Sequence, residues 1–256
     1  VGQDAIYKQD SIYRQDEDIR LEWGGEGVEA LGHDCAVLVI VDVLSFSTTV
    51  DLVLARRGRV LPLRWHDERA AAAATAAGAL LAGQGEWTLR PSSVVTFPAG
   101  KVLALPSANG ATLCGLAAAK KTAHVVAGCL RNATAVAKAA HRLAAEGPIG
   151  VIPAGERWGV NLLGGETHGP LRPCVEDHLG AGAIVTALLD YGRAASPEAQ
   201  LAATAYLGMD IGTALAECSS GRELAAAGHS GDISLAAEVN VSTSTPRLAE
   251  GVFHNE

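Results

Sequence analysis

Between residues 151 and 184 the chain reads VIPAGERW and, after a short Gly-rich segment, LRPCVEDHLGAGAI, which gathers carboxylates and guanidiniums in one place. Glu156 and Arg157 follow the apolar run 150–153, and Pro173 opens a helical pattern with Glu176 and Asp177 in its first turn. In an open α/β sheet, ligands bind beyond the carboxyl ends of the strands, so both segments are expected on the functional edge. Acids crowded there suit a hard divalent cation held through oxygen. Adjacent helix residues diverge by about 100°, so Glu176 and Asp177 cannot both face one ion, and the helix dipole alone would also favour acids in a first turn. Arg157 and Arg172 flank these acids, and such a mixture of signs fits a metal-bound anionic substrate.

Three further strand ends add polar groups. Asp42 closes the apolar run AVLVIVDV just before Ser45, where a carboxylate can reach a cation in the crevice or, more simply, cap the following helix. VDVLS has no second acid two residues on, which argues against an aspartyl-phosphate mechanism of the D-x-D type. Ser107, Asn109, Gly110 and Thr112 in PSANGAT form a turn able to offer N–H and hydroxyl groups to a phosphate or sulfonate, although turns of this composition often only cap helices. Cys129, Arg131 and Asn132 in GCLRN repeat the plan with an Arg added. Cys129 and Arg131 are too close in sequence to frame a phosphate between them, so Arg131 is expected as an anion ligand and Cys129 is not expected as a nucleophile. No histidine pair has HxH or HExxH spacing; His168 and His178 lie nearest the acids and could assist proton transfer.

The elements that must position these groups are legible in outline. Short apolar runs alternate with Ala-rich helical patterns, as in repeated βα units. Strands are expected at 36–43, 60–63, 101–105, 123–127 and 150–153. Helices are expected from the 45–49 turn to 57, over 67–78 with Asp67 as cap, over 113–120, over 133–145 with Asn132 as cap, and from Pro173 onward. Later helices are expected near 198–206, 211–217 and 222–227, while 232–239 could be helix or strand. Residues 1–20 read as a polar leader that continues to about Gly32, 21–256 as the catalytic or binding domain with no internal boundary placed, and the Ser/Thr-rich tail from Val241 as peripheral.

Composition restricts the partners. The chain has 256 residues, 48% of them hydrophobic, enough for one large α/β domain or two small ones. A formal charge of −8 with only 4% aromatics lacks the footprint of nucleic-acid binding, so a small anionic substrate is expected instead. The five cysteines are scattered, with no CxxC pair, which argues against zinc and against a disulfide framework. The first residues lack the apolar core of a signal peptide, and no apolar run approaches the ~18 residues of a membrane span. A cytoplasmic protein without membrane contact is expected, and its Ala-rich helical surface makes a homodimer reasonable.

Taken in order, VDVLSFSTT, LPSANGAT, GCLRNATAVA, VIPAGERW, LRPCVEDHLGAGAI and SGRELAAAGHSGDISLAAEVN resemble the 2-phosphosulfolactate phosphatase family, the ComB-like proteins, over about residues 21–253. The resemblance implies a three-layer α/β/α fold with a largely parallel sheet, in one domain or two α/β subdomains. It also implies Mg²⁺ dependence and hydrolysis of a phosphate monoester on a sulfonated three-carbon acid, the step leading to coenzyme M. It places Asp42, Glu156, Glu176 and Asp177 on the family's acidic positions, and Mg²⁺ is expected on Asp42 and Glu156, with Glu176 or Asp177 assisting. Ser107, Asn109, Gly110, Arg131, Asn132, Arg157 and Arg172 fall among the groups that would meet substrate. One position departs: family members read VDVLRATTT or similar, with Arg where this chain has Ser45, which puts the sulfonated substrate in question. Two rival readings remain, a non-catalytic binding or sensor protein for a phosphorylated or sulfonated acid, and a metal-dependent hydrolase acting on something other than a phosphate ester.

Overall fold

The computed structural model describes residues 14–121, 123–158 and 169–256. In chain order the elements are β1 (Ile19–Leu21), α1 (Gly24–Leu31), β2 (Val37–Val41), α2 (Phe46–Ala55), β3 (Arg59–Leu63), α3 (Glu68–Ala76), β4 (Leu80–Leu81), β5 (Val102–Pro106), α4 (Gly110–Ala119), β6 (His124–Gly128), α5 (Ala133–Ala144) and β7 (Ile149–Pro153). There follow β8 (Glu156–Arg157), β9 (Leu171–Arg172), α6 (Val175–Leu189), α7 (Pro197–Gly208), α8 (Ile211–Glu217), α9 (Ser219–Ala226), α10 (Ser230–Ala236), β10 (Pro246–Ala249) and β11 (Val252–Asn255). Short 3-10 turns occupy Pro91–Val94 and Leu130–Asn132.

Nine strands form one sheet in the order β1-β7-β2-β6-β10-β11-β3-β5-β4. Within the parallel part β1-β7-β2-β6, β2 lies between β7 and β6, parallel to both and apolar on both faces, because helices cover both. Val37, Val39 and Val41 pack with α5 and α6 on one side, and Leu38 and Ile40 pack with α2 and α4 on the other. This is the three-layer, largely parallel α/β arrangement that the alternation of apolar runs and helical patterns implies.

Two segments differ from the sequence expectation. The polar leader contains β1 and α1: Ile19 to Leu21 pair in parallel with β7 even though Arg20 lies at their middle. Arg20 is buried and donates to the Glu17 carbonyl at 2.8 Å, with Asp34 3.7 Å from its guanidinium, so the charge is accommodated inside the fold. The tail is not peripheral. β10 and β11 form a hairpin inserted between β6 and β3, antiparallel to each of them. The β3-β5-β4 part therefore runs opposite to β1-β7-β2-β6. Val60, Leu103 and Leu105 of that part share a core with Leu38 and Ile40 of β2. The ambiguous stretch near 232 is helical, as α10.

Among the described residues, no helix is long and apolar enough to cross a membrane. All five cysteines are free and buried.

Candidate active site

Asp42 follows the last residue of β2, where the chain turns into α2. The turn is built by its neighbours: the Asp42 amide donates to Ser47 Oγ at 3.0 Å, the Ser47 amide to the Asp42 carbonyl at 2.7 Å, and Thr48 Oγ1 to the Val43 carbonyl at 2.8 Å. The Asp42 side chain is thereby aimed across to α4, where its Oδ2 accepts from the Gly110 amide at 2.8 Å. Burial raises this carboxyl to about 7, and the charges of Glu156 and Glu176 add to the rise, against the amides of Gly110 and Phe46 that hold the ionised form.

Asp177 has a different task. Its Oδ1 accepts from the Val43 amide and its Oδ2 from the Gly155 amide, both at 2.8 Å. It stitches the chain leaving β2 to the chain leaving β7, and so sets the floor of the site. Burial pushes it well above the usual carboxylate range, with Asp42 and Glu176 adding to the effect. Glu176 is also buried and lies against the thiol of Cys218, the residue that caps α9. The divergence of adjacent helix residues thus separates one acid for the backbone from one facing α9.

Glu156 stands on β8, half-buried, with Asn109 Nδ2 donating to its Oε2 at 3.0 Å. Burial raises its pKa, while Asn109 and the Arg172 charge oppose the rise. Arg172, opposite Glu156 in the β8–β9 pair, lies 5.6 Å over the Trp158 ring. Arg157 turns toward Glu26 at 3.4 Å. Ser107 is buried and its amide extends the β5–β3 ladder to the Leu63 carbonyl at 2.9 Å, while Ser45 begins α2 half-buried with no side-chain cap bond.

The fold therefore assembles Asp42, Glu156, Glu176, Asp177, Asn109, Gly110 and Arg172. It does not bring Arg131 and Asn132 to them as anion ligands. Arg131 Nε donates to Asp51 Oδ2 at 2.9 Å and its Nη1 to the Leu235 carbonyl at 3.0 Å and to Glu238. Asp51 is fully buried and also accepts from the hydroxyls of Ser242 and Ser244. Arg131 is thus the partner of a buried charge that anchors the C-terminal segment. Asn132 does occupy the N-cap position of α5, but its side chain makes no cap bond there: it accepts from the Cys129 amide at 2.9 Å and donates to the Ser244 carbonyl at 3.3 Å. Cys129 is buried, and burial pushes its thiol up to about 12, in keeping with a non-nucleophilic role. His178 stacks on Trp23 with ring centroids 5.8 Å apart, and its pKa is lowered by burial. His168 and the Gly-rich segment 159–168 lie outside the described residues.

Sequence reasoning assigned no residue of α9 to the site. The structure places Cys218 beside Glu176, and Glu223 close enough to Glu156 to raise its pKa. The signal was the SGRELAAAGHSGD motif, conspicuous in sequence but without a strand end to mark it as functional.

Asp42, Glu156 and Glu176 offer carboxylate oxygens, the donor type a hard cation such as Mg²⁺ takes, and the charges of Glu156 and Glu176 both act on Asp42. Among the described residues, no group of three His, Cys, Asp or Glu side chains is gathered closely enough to enclose an ion. Mg²⁺ commonly uses only one or two carboxylates, with water and substrate phosphate completing its shell, so these residues fit an ion of that kind.

A largely parallel, three-layer α/β protein with buried and half-buried acids where the chain leaves β2 and β7 is thereby defined. Residues 28–251 match the family described as 2-phosphosulpholactate phosphatase. The chain is also 31% identical over 231 residues to the probable 2-phosphosulfolactate phosphatase of Deinococcus radiodurans, covering 86% of this chain and 90% of that protein. The chain belongs to the 2-phosphosulfolactate phosphatase family, and that membership supports a phosphatase.

Proposed function

We propose that the protein is a Mg²⁺-dependent hydrolase of a phosphate monoester carried by a small sulfonated or carboxylated acid, of the 2-phosphosulfolactate type. The observation that carries this reading is the acid cluster itself. Asp42 is built into a rigid turn, fixed by the Gly110 amide, and set among Glu156 and Glu176. A site that only bound anions would gain nothing from so much negative charge, whereas a metal-assisted phosphoryl transfer needs it.

Asp42 and Glu156 would hold the ion, with Glu176 assisting. When bound, Mg²⁺ would offset charge on the phosphate oxygens and help place the attacking water. Asp177 keeps Asp42 and Glu156 in register by tying Val43 to Gly155. Asn109 orients Glu156 through its amide. Arg172, which already acts on the Glu156 carboxylate, supplies positive charge on the same side.

Phosphate release from a panel of small phosphorylated acids, including 2-phosphosulfolactate, with Mg²⁺ and with chelator, tests this reading. Mg²⁺-dependent release supports it and ranks the substrates. Ligand binding without release from any member assigns the protein to the binding class instead.

A further inference from the structure

Outside the acid cluster, the segment preceding the Pro91–Val94 turn carries a cation for which the site described above has no use. Both backbone ends of Arg90 are fixed: its amide donates to Thr88 Oγ1 at 3.2 Å, and its carbonyl accepts from the Ser93 amide at 3.1 Å and from Ser93 Oγ at 2.8 Å. Its Nη1 donates to His229 Nδ1 at 2.9 Å. A guanidinium can only donate, so the ring accepts at Nδ1 and brings no negative charge.

Among the described residues, no carboxylate stands within ion-pair distance of Arg90, in contrast to Arg20, Arg131, Arg157 and Arg247. Arg90 is nevertheless half-buried, and so is its bond to His229. A partly desolvated cation on a preorganised turn, with donors left over and no counter-charge, is an arrangement that gains from an incoming anion.

The turn is tied to elements that carry the site. The Leu89 carbonyl accepts from Thr49 Oγ1 at 2.6 Å, and the Thr49 amide donates to the Ser45 carbonyl at 3.0 Å, so the residue before Arg90 is bonded to the first turn of α2, the helix that follows Asp42 in the chain. On the other side the His229 amide donates to the Leu224 carbonyl at 2.8 Å, and the residue before Leu224 is Glu223, which acts on Glu156. Asp232, buried on α10, accepts from the Ser92 amide at 2.7 Å. It holds the turn in place, its other oxygen is buried without a hydrogen-bond partner, and no ion pair joins it to Arg90.

We propose that Arg90, oriented by His229, binds the second acidic group of the substrate, the sulfonate or carboxylate that is not hydrolysed. The inference rests on the phosphatase reading for what occupies the acid cluster. The planar donor fork matches a carboxylate or sulfonate edge, and placing the fixed anion here keeps it away from the acids that must receive the metal and the phosphate. His229 is a positioning residue in this arrangement.

The test compares wild type, Arg90→Gln, Arg90→Lys and His229→Ala on two esters, 2-phosphosulfolactate and glycerol 2-phosphate, which has no second acid, together with calorimetric binding of sulfoacetate. Thermal melts establish that each variant is folded. Arg90→Gln should lower kcat/KM for the acid-bearing ester by roughly 10- to 100-fold more than for glycerol 2-phosphate, mainly through KM, and should abolish sulfoacetate binding. Arg90→Lys should restore part of the selectivity, and His229→Ala should raise KM less than Arg90→Gln does. Equal effects on both esters, or sulfoacetate binding that is absent from wild type or unchanged in Arg90→Gln, would overturn the proposal. Arg90-dependent sulfoacetate binding without hydrolysis of either ester would sink the phosphatase reading while leaving the Arg90 assignment standing.

Discussion

Asp42 Oδ2 accepts a 2.8 Å hydrogen bond from the Gly110 amide, which ties the end of β2 to the first turn of α4. The closeness of this contact depends on residue 110 having no side chain. A Cβ there would stand 2.7 Å from the same Asp42 oxygen and closer still to the buried ring of Phe46. Gly110→Ala should therefore destabilise the protein by about 3 kcal/mol, an overpacking cost, and displace Asp42. Urea unfolding and phosphate release on the same preparation check both effects.

Asp177 accepts from two backbone amides, at Val43 and Gly155. An Asn there can satisfy only one of them and turns its NH₂ toward the other. Asp177→Asn should cost about 1–3 kcal/mol and lower activity by loosening the two strand ends, although it leaves Asp42 and Glu156 chemically unchanged. Hydrogen exchange at the two amides would locate the lost bond.

Arg131 and Asp51 form an ion pair 2.9 Å long whose acid is fully buried. Arg131→Met strands that carboxylate and should destabilise by about 3–5 kcal/mol. Arg131→Met combined with Asp51→Asn should recover part of the loss, because no bare charge remains. A double-mutant cycle from denaturant unfolding reads this directly, and a small stability effect accompanied by a large rise in KM would return Arg131 to the role of anion ligand.

The raised pKa of Asp42 sets the sign of a pH effect on the metal-free protein. Its carboxyl keeps its proton in the folded state after the unfolded chain has released it, so the stability it contributes is full below about pH 4. That stability is lost as pH rises through about 7. In chelator, Tm should accordingly carry a component that falls between about pH 4 and 7, and Asp42→Asn should remove this component. Mg²⁺ should restore stability most at the upper end of the range, where the carboxylate is free to bind. A pH profile in chelator unaffected by Asp42→Asn would contradict the assignment of the shift to this residue.

Cys129 illustrates a residue whose sequence neighbourhood resembles chemistry and whose surroundings exclude it. Its thiol is buried, and burial followed by the Asp51 charge pushes it up to about 12. Cys129→Ser should cost about 1–2 kcal/mol and leave turnover near the wild-type rate. Loss of activity without loss of stability would contradict this.

The parts of the fold that were legible are those where one physical signal dominates. β2 is buried on both faces, so it appears as an unbroken apolar run, and the Asp at its end could be placed on the functional edge from position alone. β1 was hidden because a three-residue strand with Arg20 at its centre has no hydrophobic pattern, and the strand it pairs with, β7, lies far along the chain. β10 and β11 were hidden for a similar reason: Arg247 and Glu256 look like a solvated tail, yet they pair with each other at 2.9 Å alongside the sheet. In the site, Asp42, Glu156 and Glu176 were legible as acids at strand and helix ends. The division of labour between Glu176 and Asp177 followed from helix geometry, but which faced the backbone did not. Arg131 was misplaced because its partner Asp51 sits 80 residues earlier inside a helix, and no local pattern marks a buried ion pair.

The most direct measurement is phosphate release from 2-phosphosulfolactate and related phosphorylated acids by wild type, Asp42→Asn and Glu156→Gln, each assayed in Mg²⁺ and in chelator. The account predicts release by wild type only with Mg²⁺, and a fall of at least about 100-fold in each variant, since each removes a carboxylate that would hold the ion. Release that persists in chelator, or that survives Asp42→Asn at a rate near wild type, would contradict it.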